Sequence, residues 1–363
     1  MNNYWAPLPW QTKQWQQLYR CHQASRLPHA LLLVGQSGLG KALFATNFAK
    51  TLLCQQPIDS QALGFLGAGC LVKQAYNLPE DCKLGGNPEK NSSAKRILLA
   101  CQECRDCLLV TAGTHPDLCQ LTTEKSSLGI KIDQIRAVIE KLNHTSLAAY
   151  KIIVINPADS LLLAASHALL KSLEEPSDRT LFILVTEQIE CLLPTIRSRC
   201  QVIRFTTPKK SLATAWLAQQ LPESTPIDKL YHLSSGAPLL ALAYAQQNYY
   251  SFYTDLITSL VHLLDQALDP IQCAARYLKT DAQQLLSTLL KVVSELLKCQ
   301  LLQGYVAIES AIAPLATTLS TDFLFHYFDE LMVLQTHMTQ LTLNLQLMLE
   351  DLFSRWALQG KLC

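Results

Sequence analysis

The chain has 363 residues, of which 49% are hydrophobic and 16% charged, and 30 basic against 29 acidic side chains leave a net charge of +1. This length allows two or three domains with cores of their own, and the near-neutral balance excludes an autonomous nucleic-acid binder with a strong basic footprint. So low a charged fraction fits either large buried interfaces or an ordinary large core.

No membrane is implied, because the longest apolar stretch, Leu161–Leu170, is short and contains Ser166 and His167. The opening segment, Met1 to Pro7, lacks the basic-then-apolar layout of a signal peptide, so a cytoplasmic location is expected. In that compartment 13 cysteines point to a metal or to plain burial, not to disulfides.

Taken in chain order, a Trp-rich segment (Trp5, Trp10, Trp15) precedes Ala30–Val34, a fully apolar run suited to a buried parallel strand. Gly35-Gln-Ser-Gly-Leu-Gly-Lys-Ala42 follows, and it matches the phosphate loop G-x-x-x-x-G-K-[ST] at every position but the last. In a working loop, backbone N–H groups cradle phosphate, the lysine reaches the β and γ oxygens, and the hydroxyl ligates Mg²⁺. Gly35, Gly38, Gly40 and Lys41 are therefore the candidate nucleotide site. Ala42 offers only a methyl group, which cannot hold a metal. From Leu43 to Leu53 apolar residues recur at helical spacing, placing the loop at the helix N-terminus that anions favour.

Residues 55–100 carry Gly, Pro, Asn and Ser with weak periodicity and read as an insertion. Cys101, Cys104 and Cys107 then place three thiols within seven residues, and Cys54 closes the preceding helix. Four thiolates surround Zn²⁺ tetrahedrally and leave no open position for chemistry, so a zinc-dependent enzyme is excluded and a structural site expected. Cys70 and Cys82 compete with Cys54 as fourth ligand. An iron–sulfur cluster shares this spacing but ranks below zinc, since nothing else in the chain points to redox chemistry. His115, before Pro116 and Asp117, is expected to serve a turn.

Beyond Asp117, Lys151–Ile155 and Thr180–Val185 read as strands with a helix over 159–175 between them. This alternation predicts a doubly wound parallel sheet. After Phe205 only helices follow: 211–221, 237–247, starts at Asp269-Pro270 and at Thr280-Asp281, and one or two amphipathic helices over 320–358. Glu174 and Glu175 are expected to face solvent or a neighbouring subunit.

The phosphate loop, the cysteine triplet, Ala112–Asp117, Ala168-Leu-Leu-Lys-Ser-Leu-Glu-Glu-Pro176 and Leu193-Pro-Thr-Ile-Arg-Ser-Arg-Cys200 together resemble the clamp loaders of the bacterial replicative DNA polymerase, within them the delta-prime branch. Order and approximate spacing hold from about residue 20 to 250. The resemblance implies an α/β fold of the AAA+ type over 1–206 with a zinc module at about 54–107, a small helical lid over 207–248 and an all-α collar for oligomerisation over 249–363.

It also implies a place in DNA polymerase III, a DNA-directed DNA polymerase. The partners would be the gamma/tau motor subunits and the delta subunit in a heteropentamer that loads the sliding clamp on primed DNA. Motor members of the family end the strand at 151–155 in Asp-Glu, where this chain has Asn156-Pro157, and carry a sensor arginine where it has Leu239. With Ala42 as well, hydrolysis at its own site is not expected, although weak nucleotide binding through Lys41 and the glycines is. Arg199 matches the family's arginine finger, which reaches the ATP of the next subunit, and Arg197 is a second candidate. The rival reading is an active motor ATPase of the same fold.

Overall fold

The computed structural model describes residues 6–59, 97–123, 129–142, 149–337 and 344–359. Most of the 55–100 insertion, with Cys70 and Cys82, lies outside them. The chain divides into two compact units, Met1–Leu242 and Ala243–Cys363.

In the first unit, α1 (Thr12–Gln23) leads to β1 (Ala30–Val34) and α2 (Lys41–Leu53). The insertion's described ends pair antiparallel as β2 (Ile58–Asp59) and β3 (Leu98–Leu99). Then come α3 (Arg105–Thr111), β4 (Leu118–Leu121), α4 (Ile132–Leu142), β5 (Lys151–Ile155), α5 (Leu163–Glu174), β6 (Thr180–Thr186), α6 (Pro194–Arg199) and β7 (Gln201–Arg204). Helices α7 (Lys210–Gln220), α8 (Ile227–Leu233) and α9 (Pro238–Gln246) follow.

The main sheet is parallel throughout, in the order β4-β5-β6-β1-β7. All of Ala30–Val34 and Thr180–Thr186 is buried, as strands covered on both faces require. One core cluster joins sheet residues such as Leu32, Ile153 and Phe182 to Leu169 and Leu173 of α5 and Ile196 of α6. Each such side chain contributes roughly 1.5–3 kcal/mol by leaving water. The chain leaves β1 toward one edge of the sheet and β6 toward the other, so the switch point lies between their C-terminal ends. Ligands of such sheets bind there.

One expectation is corrected. The helix expected over 159–175 begins only at Leu163, after a single 3₁₀ turn at Ala158–Ser160. The interruption has long-range causes: Leu161 bridges Ile130, and the Leu162 N–H donates to the Ile130 carbonyl at 3.1 Å. Asp159 is drawn instead to the end of β6, where its carboxylate accepts from Thr186 Oγ1 and the Glu187 N–H at 3.0 and 3.1 Å. Arg199 closes the last turn of the short helix α6.

The second unit is helical: α10 (Tyr249–Leu264), α11 (Pro270–Tyr277), α12 (Ala282–Leu301), α13 (Ile312–Thr318), α14 (Thr321–His337) and α15 (Leu345–Gln359). Asp269 and Asp281 cap α11 and α12 by accepting backbone N–H groups of the first turn. Lys291 of α12 lies against the stacked Tyr244 and Tyr249 rings, its Nζ 4.5 and 5.1 Å from their centroids.

Burial pushes the Lys291 ammonium down from 10.5 to about 8. Between those values the unfolded chain holds a proton that the folded chain has lost, so the penalty for burying this ammonium is full at low pH and is relieved as pH climbs from about 8 towards 10.5. Denaturant midpoints are therefore expected to favour wild type over Lys291→Met increasingly from pH 7.5 to 9.5. A pH-independent difference would contradict the burial argument.

Candidate nucleotide site, cysteine cluster and arginine

The sequence-predicted nucleotide residues stand at the switch point. Gly35 donates its N–H to the Thr186 carbonyl at 3.4 Å, which ties the loop after β1 to the end of β6. Gly38 and Gly40 have φ of 75° and 83°, left-handed conformations that favour glycine. Lys41, the first residue of α2, is only 5% exposed, and its Nζ donates to the Gln36 carbonyl at 2.8 Å. Burial lowers its pKa, while the carboxylates of Glu187 and Asp159 push it back up.

The loop is also held by its own chain on two sides. On one side, the Leu239 N–H donates to the Gly38 carbonyl at 3.0 Å, and Gln36 Nε2 donates to the Ser234 and Ser235 carbonyls, each at 3.2 Å. A Cβ on Gly38 would fall 2.5 Å from Leu240 Cβ and 3.1 Å from Ala237 Cβ, so the start of α9 sits directly on the loop. On the other side, Gln11 Nε2 donates to the Leu39 and Gly40 carbonyls at 2.9 and 3.0 Å, and Trp10 Nε1 to Leu39 at 3.0 Å. A phosphate would have to draw Lys41 off the Gln36 carbonyl, against the pull of two carboxylates.

Asp159 is the carboxylate nearest in sequence to the missing catalytic pair at 156–157. One of its oxygens accepts from Thr186 Oγ1 and from the N–H groups of Glu187 and Gln188, which ties it to the end of β6. Sequence reasoning missed all of these internal contacts. The local signal for them was slight: the apolar Leu239 and Leu240 at the head of a helix.

The four cysteines of the expected metal site come together in a cluster that could hold a metal ion. Cys54, Cys101, Cys104 and Cys107 bring their sulfurs within 4.8 Å of one another. Individual Sγ–Sγ separations are 3.5 Å (Cys54–Cys101), 3.8 Å (Cys54–Cys104) and 3.9 Å (Cys101–Cys107), too long for disulfide bonds. Four thiolates around a tetrahedral ion of zinc's size would stand about 3.8 Å apart, so the cluster fits such a metal.

Local structure explains the convergence. Cys54 is the C-cap of α2 and Cys104 the N-cap of α3. Lys50 of α2 donates to Gln102 Oε1 and to Thr111 Oγ1, fastening the knuckle to the helix. The N–H groups of Cys101, Cys104 and Cys107 point at the sulfurs of Cys54, Cys101 and Cys104, at 3.3, 3.3 and 3.5 Å. Burial raises the Cys54 and Cys107 thiols. At Cys104 burial is outweighed by hydrogen bonds from the Cys107 and Gln55 backbones, and its pKa falls to about 6. His115 meets the turn expectation, its Nδ1 accepting the Asp117 N–H at 3.1 Å, and its Nε2 lies 3.6 Å from Asp106.

Arg199 stands apart from both sites, beside edge strand β7. Its Nη2 lies 2.6 Å from Glu174 Oε1, and its Nη1 donates to the Thr195 carbonyl at 2.9 Å and to Ser198 Oγ at 3.4 Å. Glu174 was expected to face solvent or a neighbour; sequence spacing carried no sign of this ion pair.

Comparison with known proteins adds the lineage. A family described as "DNA polymerase III, delta subunit" matches residues 10–74 and 87–209, more than half of the chain. DNA polymerase III subunit delta' of Pseudomonas aeruginosa is 35% identical over 64% of this chain and 60% of its own length. The Escherichia coli subunit delta' is 34% identical over 66% of this chain and 60% of its own. The chain thus spans 60% of the length of each of these two relatives. The Yersinia pestis subunit delta' is 29% identical over 86% of this chain and 82% of its own length.

Proposed function

The chain belongs to the DNA polymerase III delta-subunit family, and from that premise we propose that it is a non-hydrolysing, delta-prime-like subunit of a clamp loader. The observation that carries this reading is the phosphate loop held by its own chain. Lys41 bonds to the loop's Gln36 carbonyl, and Leu239 with Leu240 cover Gly38. The chemistry agrees: Ala42 has no hydroxyl, Asn156 and Pro157 offer no carboxylate, and Asp159 is engaged elsewhere. Phosphoryl transfer depends on electrostatic positioning of metal and water, and each of these groups is missing or occupied. The rival reading, an active motor, finds no support at these positions.

On this reading the first unit is an AAA+ scaffold in which the chain itself ties lid to loop, as a bound nucleotide otherwise would. Residues 207–248 are that lid, and 249–363 form the collar that joins gamma/tau motor subunits and delta in a heteropentamer. The assembly loads the sliding clamp on primed DNA in the cytoplasm. Cys54, Cys101, Cys104 and Cys107 hold a structural zinc ion, which cross-links α2 to the knuckle and takes no part in chemistry. The subunit's own chemical contribution is Arg199, offered to the ATP of a neighbour.

The purified chain is expected to show no ATPase above background and no ATP binding tighter than about 1 mM, with or without Mg²⁺, by calorimetry. Added to motor subunits, delta, clamp and primed DNA, the same preparation should restore clamp loading. ATP turnover by the chain alone that disappears in Lys41→Ala would overturn the assignment.

A further inference from the structure

An arginine that must meet a phosphate across an interface is costly to leave loose, since its long side chain has much rotamer entropy to lose on contact. Arg199 is not loose. Thr195 and Ser198 hold its Nη1 from within α6, and Glu174 holds its Nη2 from the last residue of α5. The two helices are fixed to each other through one core, in which Leu169 and Leu173 of α5 pack with Leu192 and Ile196 around α6. Pro176, just beyond the helix, keeps α5 from continuing past its acidic end.

We propose that Glu174 is a positioning residue for Arg199, fixing the guanidinium in a presented geometry before the neighbouring subunit's triphosphate arrives. The proposal rests on the finger reading given above. The three contacts use at most three of the five guanidinium N–H groups, so two remain for phosphate oxygens. Stability does not account for the pair. The Arg199 and Glu174 side chains are 35% and 49% exposed, and ion pairs so open to water add little to folding. What the pair does supply is a fixed direction beside the sheet's edge strand, where another subunit can approach.

The test uses full-length chain reconstituted with motor and delta subunits, reading DNA-stimulated ATPase for wild type, Glu174→Gln, Glu174→Asp, Arg199→Ala and Glu174→Gln/Arg199→Ala. Glu174→Gln is expected to lower the Arg199-dependent part of kcat about tenfold, with KM for ATP and assembly unchanged, as a misaimed catalytic group does. Glu174→Asp, which keeps the charge, should retain an intermediate rate. The double variant should match Arg199→Ala alone, because a residue acting only through Arg199 has nothing left to position.

Unchanged or raised kcat in Glu174→Gln, or an additive loss in the double variant, would overturn the positioning role while leaving an impaired Arg199→Ala to support the finger. A silent Arg199→Ala would remove both together.

Discussion

Cys104→Ser is expected to strip the metal from the first unit and to cost far more stability than Arg199→Ala or Lys291→Met. Cys104 sits at the hinge of the cluster: its sulfur lies 3.8 Å from that of Cys54 and accepts the Cys107 N–H, and its residue caps α3. A serine hydroxyl preserves some of the cap but is a far weaker ligand than thiolate. Apparent binding free energies of structural zinc in small folds are about 10–16 kcal/mol, and that binding contributes directly to folding. A substantial part of it, on the order of 3–5 kcal/mol, is expected to be lost because the three remaining thiolates no longer retain the ion.

The effect should be localised. Elemental analysis of wild type should give one zinc per chain and of Cys104→Ser almost none. Hydrogen exchange should accelerate in α2, β3 and α3, while α10 to α15 of the other unit keep their protection. Full metal retention in Cys104→Ser, or metal-free wild type of undiminished stability, would rule out a structural zinc.

How far the sequence reveals such features depends on how local their causes are. The runs Ala30–Val34, Lys151–Ile155 and Thr180–Val185 identify the central strands because strands covered on both faces must be apolar throughout. The C-x-x-C-x-x-C spacing marks the metal knuckle because a turn and the start of a helix bring those thiols together without help from distant chain. Cys54, at the end of a helix, was expected as fourth ligand but only in competition with Cys70 and Cys82. Its place in the cluster comes from α2 packing against α3, which no spacing encodes.

The departures share one cause. Helix α5 starts four residues later than its composition predicts because Leu161 and Leu162 are claimed by Ile130, some thirty positions earlier. Glu174 is the solvent-exposed helix end that its position suggests, and only its ion pair went unseen, because its partner is twenty-five positions away in sequence. The phosphate loop is the sharpest instance. Its pattern points to phosphate binding and Ala42 lacks the hydroxyl that would ligate a metal, yet neither indicates that Gln11, Trp10 and Leu239 bond to its carbonyls. A motif describes what a loop is shaped to do, while its occupants are set by tertiary contacts.

Arg199→Ala should leave folding, zinc content and assembly intact yet sharply slow one ATP site in the assembled complex. The first half follows from exposure: Arg199 lies outside the core, and its ion pair to Glu174 is open to solvent. The second follows from charge. A guanidinium brought to a γ-phosphate from across an interface stabilises the charge of the transition state and is worth roughly 10³–10⁵ in rate at that site. Steady-state ATPase of the whole complex should fall less than this, because other interfaces keep their own arginines, and clamp loading should fall with it. Arg199→Lys should rescue poorly. A single ammonium can keep an ion pair with Glu174, but it lacks the planar fork that could hold Thr195 and Glu174 while still offering two donors to phosphate. Single-turnover measurements would separate the affected site from the others as a slow phase carrying one site's amplitude. If DNA-stimulated ATPase and loading rates were the same in Arg199→Ala as in wild type, the arginine would only fasten α6 to α5 and the subunit's contribution would be purely structural.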